Sequence, residues 1–401
     1  MNSGPQEDGP LAGYRVLDLS HILAGPYCTM ILVDLGAEVI KVERPDGGDP
    51  ARAYGPFLEG QSAYFMSLNR GKKSITLNLK SPKGKDIAMR LAEKCDVLVE
   101  NFRPGTLERL GLGYERIKKV NPGMIVASVT GFGQSGPWRD RPALDVIVQA
   151  LSGSMSITGE PDGPPMRTGF SIGDIIPGIF AALAVLAALV HRERTGEGQR
   201  IDVSMFDCLL ALLENAIVRY TSTGEVPPRY GSRHPSIAPF DTFKARDGYV
   251  AIGVVSDSLW ERFCKVLGRK ELIRDGRFRD NESRSRNYEE LKDIVEAWTS
   301  QLSREEVVSR MLSDGVPSGE VNTIDMAVEC EQTRTRQMVL DVRYPSGGSV
   351  RMANSPLRLE LTPGRIRGAP PVLGEHTEEV LSQLLGMSEE EVSRLRREGA
   401  V

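Results

Sequence analysis

From Val16 to Gly133 the apolar positions fall in short β-branched runs, separated by amphipathic stretches with helix signals. That alternation predicts βαβ units building a mostly parallel sheet. The runs are Val16 to Leu19, Glu38 to Val42, Ile75 to Leu79, Val97 to Glu100 and Ile125 to Val129. Ser81 followed by Pro82 marks a helix start, a cap with proline in the first turn. Ile201 to Met205 predicts a further strand, and Phe206 to about Thr221 a helix. The longest apolar run, Ile175 to Val190, is short for a bilayer span and carries Pro177 and Gly178 near its start, so a buried helix is expected.

Between Gly224 and Pro239 the composition shifts to Pro, Gly, Ser and Arg, the signature of a connection into a new unit. Beyond it, Tyr249 to Val254 after the Asp247-Gly248 turn predicts a hairpin, and Leu259 to Leu267, Tyr288 to Gln301 and Glu305 to Leu312 predict helices. A smaller α+β domain is expected there. A second hairpin is expected around Pro345 to Gly348, and a last helix near Thr377.

At 401 residues the chain exceeds what one hydrophobic core usually serves, in keeping with two domains. The net charge of −4 is spread rather than blocked, which argues against nucleic acid and anionic lipid as partners and for a small-molecule substrate. Five cysteines lie far apart with no C-x-x-C, the pattern of reduced thiols in a cytoplasmic protein; neither a disulfide framework nor a metal site is signalled. Met1 to Pro10 is polar and acidic and reads as a loose arm, not an export signal.

The most informative local arrangement is Pro164 to Val190: a glycine-punctuated approach, one acid, then the long apolar helix. The acid is Asp174. With Pro177 in the first turn it falls at the helix N-terminus, where free amides and the macrodipole favour a charged carboxylate. Read locally, it is either an N-cap or a reactive group. Gly169-Phe170-Ser171-Ile172-Gly173 also matches G-x-S-x-G, so a serine hydrolase using Ser171 is a second possibility, with His376 downstream; an elbow would need an apolar strand leading into the serine, and the approach is polar. No G-x-G-x-x-G follows the first strand and no P-loop is present. The first strand runs instead into Ser20-His21-Ile22-Leu23-Ala24-Gly25-Pro26, small residues where a ligand could approach the backbone.

Several segments taken in order resemble the family III CoA-transferases, the CaiB/BaiF family that includes formyl-CoA transferase. They are Val16-Leu17-Asp18-Leu19, Ala24-Gly25-Pro26, Leu35-Gly36-Ala37-Glu38-Val39-Ile40-Lys41-Val42-Glu43, Asn69-Arg70-Gly71-Lys72-Lys73-Ser74, Asn101-Phe102-Arg103-Pro104-Gly105, the Asp174 segment, Thr195-Gly196-Glu197-Gly198-Gln199 and Leu373-Gly374-Glu375-His376-Thr377. The resemblance implies that Asp174 is the nucleophile, carrying the acyl group as an aspartyl anhydride and coenzyme A as an aspartyl thioester. It implies that Ile22, Leu23, Arg44, Lys72, Asn101, Phe102 and Arg109 line the coenzyme site, with Arg44, Lys72 and Arg109 offering charge to phosphates. Coenzyme A is then substrate and product, and no tightly bound cofactor is expected.

The implied fold is α/β: a large Rossmann-like domain built from both chain ends (residues 1–225 and 331–401), a smaller α+β domain (226–330), and an interlocked homodimer. Two branches of the family differ in ways visible here. The 2-methylacyl-CoA racemases carry a Gly-His-Asp triplet where this chain has Ala143-Leu144-Asp145, and leucine cannot exchange a proton. Formyl-CoA transferase has a glycine-rich lid where this chain has Gly231-Ser232-Arg233-His234-Pro235, a segment similar to members that pair succinyl-CoA with dicarboxylic acids. Arg233 and His234 are accordingly expected to hold a distal carboxylate.

Overall fold

The structure is a computed structural model that describes residues 9–344 and 347–401. The expected N-terminal arm therefore lies almost wholly outside the described residues, as does part of the turn at Pro345 to Gly348. The chain forms two compact units. The larger comprises Met1–Ser154, Arg167–Val218 and Gln332–Val401, and the smaller Met155–Met166 and Arg219–Glu331.

The larger unit is built on six parallel strands: β1 (Arg15–Asp18), β2 (Glu38–Glu43), β3 (Lys73–Thr76), β4 (Val97–Glu100), β5 (Ile125–Thr130) and β6 (Arg200–Ser204). Their spatial order is β3-β2-β1-β4-β5-β6, the doubly wound arrangement in which strand order reverses between β1 and β4. Both faces are covered, so successive side chains enter different cores. Leu17, Ile40, Ile75 and Leu98 point to one side, where α2 (Pro82–Ala92) supplies Ile87 and Leu91. Val16, Val39, Val97 and Ile125 point to the other, against α1 (Ala24–Asp34) and α3 (Ile172–Thr195).

The chain's last segment completes the first of these cores. Val380 and Leu381 of α4 (Thr377–Leu385) and Val392 and Leu395 of α5 (Glu389–Arg397) are buried there. Sequence reading expected one terminal helix; the second is started by a capping box between Ser388 and Glu391. The Leu373-Gly374-Glu375-His376-Thr377 motif fastens this return. Gly374 N–H donates to Ser74 Oγ, Thr76 N–H to Thr377 Oγ1, and Ser74 N–H to His376 Nδ1. His376 is thus a structural acceptor at the sheet edge.

By length and composition α3 is able to cross a bilayer, and it is longer than the sequence run suggested. One face is buried in the α/β layer, with Gly178, Ala181, Ala182 and Val185 packed inward. A Cβ on Gly178 would lie 2.7 Å from the Ala24 carbonyl oxygen, so glycine lets the start of α1 approach α3 closely. The opposite face is not buried as expected: Ile179, Phe180 and Leu183 are exposed.

In the smaller unit, β7 (Phe240–Ala245), β8 (Gly248–Gly253) and β9 (Ser318–Glu320) form an antiparallel sheet in the order β9-β8-β7. Helices bury Trp260, Phe263, Leu291, Val295 and Val307 against Phe243 and Val250. Its boundaries differ from the expected 226–330 because the loop 155–166 belongs to it. Arg229 donates to the carbonyl oxygens of Glu160 and Gly163, and Gly231 N–H to that of Gly159. These long-range bonds carry no local sequence signal. The later hairpin, β10 (Val339–Arg343) with β11 (Ser349–Ala353), pairs Val339 with Ala353 through Arg343 with Ser349.

Candidate active site

In an open α/β sheet, ligands sit beyond the carboxyl ends of the strands where the order reverses. That position, between β1 and β4, is where the structure places Ser20 to Leu23 and Asn101-Phe102. The backbone there is held by side chains. Asn101 accepts from His21 N–H and donates to the His21 carbonyl, both at 2.8 Å. Ser20 N–H and Oγ–H donate to Asp18 Oδ1. A cleft of about 670 Å³ opens here, lined by His21, Arg44, Asn78, Lys80, Phe102 and Leu110 among others. The imidazole of His21 lies 4.9 Å from the Phe102 ring.

Beyond His21 the chain enters α1, whose start lies against the first turns of α3. Ile22, Leu23, Tyr64 and Ile175 belong to one apolar cluster, and Ile175 is the neighbour of Asp174. Asp174 is half-buried in the first turn of α3. It is not the cap of that helix. Asp145 does that work, accepting from Gly173 N–H at 2.8 Å and from Gln149 Nε2 at 2.9 Å. The Asp174 carboxylate forms no hydrogen bond or ion pair among the described residues. Burial, and then the charge on Asp145, push its carboxyl up to about 7. The helix macrodipole favours a charged group at neutral pH, as expected from the sequence, but desolvation outweighs it. Tyr64 is close enough that the Asp174 charge, after burial, helps to raise its phenol to about 12.

Other expected site residues divide clearly. Arg44 is exposed at the cleft, donating from Nε and Nη2 to the Gly48 carbonyl at 3.2 Å. Arg109 is exposed, donates to Thr106 Oγ1 and precedes the lining residue Leu110. Lys72 must be corrected. It is only 2% exposed, and its ammonium is shared by Asp18 Oδ2 (3.2 Å), the Pro26 carbonyl (3.0 Å) and Asn69 Oδ1 (2.9 Å). It neutralises the buried Asp18 and has no face for a phosphate. Burial draws its ammonium down to about 8, although Asp18 opposes the fall.

Arg233 and His234 lie in the smaller unit. The Arg233 guanidinium stacks 3.8 Å from the Tyr288 ring centroid and donates to the Ser285 carbonyl, while its Nε is buried without a partner. His234 Nδ1 accepts from Ser236 N–H, which puts the proton of the neutral ring on Nε2. The serine-hydrolase reading fails on geometry, since no strand enters Ser171 and His376 is engaged elsewhere. Sequence reading missed Tyr64, Asp145 and Asp49. Asp145 stood in the Ala143-Leu144-Asp145 triplet and Asp49 in Gly47-Gly48-Asp49-Pro50, a cap followed by proline, whereas Tyr64 carried no signal.

Residues 11–377 match the profile of CoA-transferase family III. The chain belongs to that family. It is 40% identical over 389 residues to the succinyl-CoA–D-citramalate CoA-transferase of Chloroflexus aurantiacus, covering 96% of this chain and 97% of that one. It is 45% identical over 352 residues to the acetyl-CoA:oxalate CoA-transferase of Acetobacter aceti, covering 88% and 89%. A crystal structure of a CaiB/BaiF family protein from Brucella suis superimposes with a TM-score of 0.85 at 38% identity, over 94% of this chain and all of that one. This CoA-transferase is therefore an enzyme of acyl-CoA chemistry, and the racemase reading is not favoured by its relatives.

Proposed function

We propose that this family III CoA-transferase moves coenzyme A from succinyl-CoA to a small dicarboxylic acid, with Asp174 as the group that carries first acyl and then coenzyme. The observation that carries the reading is the Asp174 carboxylate itself: half-buried, without a partner, and relieved of capping by Asp145. A carboxylate with no structural duty, in a place that costs free energy to charge, is suited to reaction.

In the proposed sequence an Asp174 oxygen attacks the thioester carbonyl and coenzyme A leaves as thiolate, giving a mixed anhydride. The thiolate attacks the aspartyl carbonyl, succinate departs, and an aspartyl-CoA thioester remains. The acceptor carboxylate then attacks that thioester and expels the thiolate. The thiolate returns to the acceptor carbonyl, releasing the new acyl-CoA and restoring Asp174. Each step exchanges one activated acyl for another, so no intermediate is a deep trap. Only the ionised carboxylate attacks, and its raised pKa makes it the stronger nucleophile. Packing by Ile22, Leu23, Tyr64 and Ile175 supports the exclusion of water that an anhydride requires.

The dicarboxylate part rests on the relatives, which include the succinate–glutarate CoA-transferase of Agrobacterium fabrum. It carries over the expectation that Arg233 and His234 take the distal carboxylate of the acceptor. The reading also includes a homodimer in which Ile179, Phe180 and Leu183 are covered by a second copy. Exchange of labelled succinate into succinyl-CoA tests the chemistry without a second acid. Asp174→Ala should abolish exchange, and intact-mass and peptide measurement on the wild type should find succinyl or coenzyme A on Asp174. Exchange undiminished by that substitution sinks the proposal.

A further inference from the structure

The segment between β1 and α1 contains one residue in a conformation its side chain disfavours. Ile22 has φ of +65°, in the left-handed region that β-branched residues avoid because their branched Cβ crowds the backbone. Such a conformation persists only where the surroundings impose it, and it is found most often at functional sites. What imposes it here is one buried carboxylate. Asp49, 3% exposed, accepts from Ile22 N–H at 3.1 Å and 3.3 Å through its two oxygens.

Asp49 is itself fixed from three sides. Its Oδ1 accepts from Ala51 N–H at 2.8 Å, its Oδ2 pairs with Lys41 Nζ at 2.8 Å, and its own N–H donates to Glu43 Oε2 at 3.0 Å. Lys41, wholly buried, donates in turn to the Ser20 carbonyl at 2.9 Å. With Asp18 on Ser20 and Asn101 on His21, consecutive backbone groups from Ser20 N–H to Ile22 N–H are each claimed by a side chain. Propensity alone would not choose this path for an isoleucine. Downstream of the clamp, Ile22 and Leu23 pack with Ile175 and Tyr64 beside Asp174.

We propose that Asp49 is a positioning residue for transfer: by clamping the left-handed backbone of Ile22 it sets Ile22 and Leu23 against the Asp174 end of α3. The proposal rests on the reading of Asp174 as nucleophile. Asp49 touches no reacting atom. Asp49 also lines the cleft, but Arg44 and Asn78 there are held by the carbonyl oxygens of Gly48 and Gly399 and not by Asp49, so its loss is felt mainly as misplacement at the acyl centre and coenzyme binding is largely retained.

The test uses full-length protein and exchange of labelled succinate into succinyl-CoA, with kcat and KM for succinyl-CoA read separately. Asp49→Asn removes the charge that holds Lys41 and Ile22 together. It should lower kcat about ten- to a hundred-fold, the cost typical of small misplacements, with KM for succinyl-CoA within about three-fold. Ile22→Gly added to Asp49→Asn should recover most of the lost kcat, because glycine takes a φ of +65° without being forced. A merely structural Asp49 predicts no such rescue. Wild-type kcat in Asp49→Asn, a loss expressed in KM, or a double variant as slow as Asp49→Asn would each overturn the proposal.

Should Asp49→Asn not fold, the double variant decides. Folded and exchanging, it supports the clamp; unfolded, it shows that Asp49 serves only to neutralise Lys41. Asp174→Ala run in parallel separates the two claims. If it is inactive while Asp49→Asn is normal, only the clamp is lost; if it still exchanges, the nucleophile reading itself fails.

Discussion

If burial makes Asp174 costly to charge, replacing it with its neutral isostere should stabilise the protein while abolishing activity, and the gain should depend on pH. Its carboxyl is raised from an ordinary value near 4 to about 7. A rise of that size corresponds to about 4 kcal/mol held against the charged form in the folded state. The sign follows from proton binding. Between about pH 4 and pH 7 the folded chain retains a proton on Asp174 that the unfolded chain has released. This contribution is complete below pH 4 and is lost as pH rises through 7.

Asp174→Asn has no proton to lose and no charge to bury. Its advantage over wild type should be near zero at pH 4 and grow to at most about 4 kcal/mol at pH 8, an upper bound because water reaches a half-buried carboxylate. Urea unfolding of both proteins across that range, followed by a probe in the larger unit, measures the gap between their midpoints. A gap that stays constant, or one favouring wild type at pH 8, would refute the account of why this carboxylate is raised. Succinate exchange by the variant should be undetectable throughout.

Asp145→Asn removes the second cause of the Asp174 shift, so the rising limb of the pH–rate profile should move to lower pH. Ser171→Ala should leave transfer within about two-fold of wild type, and in the wild type Ser171 should stay unlabelled by a fluorophosphonate, since no elbow geometry surrounds it. Arg233→Lys should raise KM for dicarboxylic acceptors by about ten-fold or more while leaving KM for succinyl-CoA unchanged, because an ammonium does not reproduce the planar guanidinium; an equal effect on both would remove Arg233 from acceptor recognition. Phe180→Glu with Leu183→Glu should destabilise the proposed dimer, lowering its urea midpoint or its mass in light scattering, by charging exposed apolar positions on α3.

The strands of the large sheet were legible along the chain because β-branched runs buried on both faces need no distant partner to be recognised. Asp174 was legible as one acid heading a long apolar helix, and only the order of the family segments suggested the chemical role proposed for it. The smaller unit's hairpin followed from Asp247-Gly248, a turn decided within a few residues. Such features are short-range, so local propensity suffices for them.

Tertiary packing settled the rest. Lys72 looked like a phosphate ligand, yet the fold closes over it and spends its donors on Asp18, Pro26 and Asn69. Asp174 looked like a charged cap, yet Asp145, 29 residues earlier in sequence, takes the capping role and leaves it raised. The loop 155–166 joined the smaller unit through Arg229, and Asp49 reached back 27 residues to Ile22. Desolvation and long-range hydrogen bonding depend on which distant segments meet, and no window of the chain carries that information.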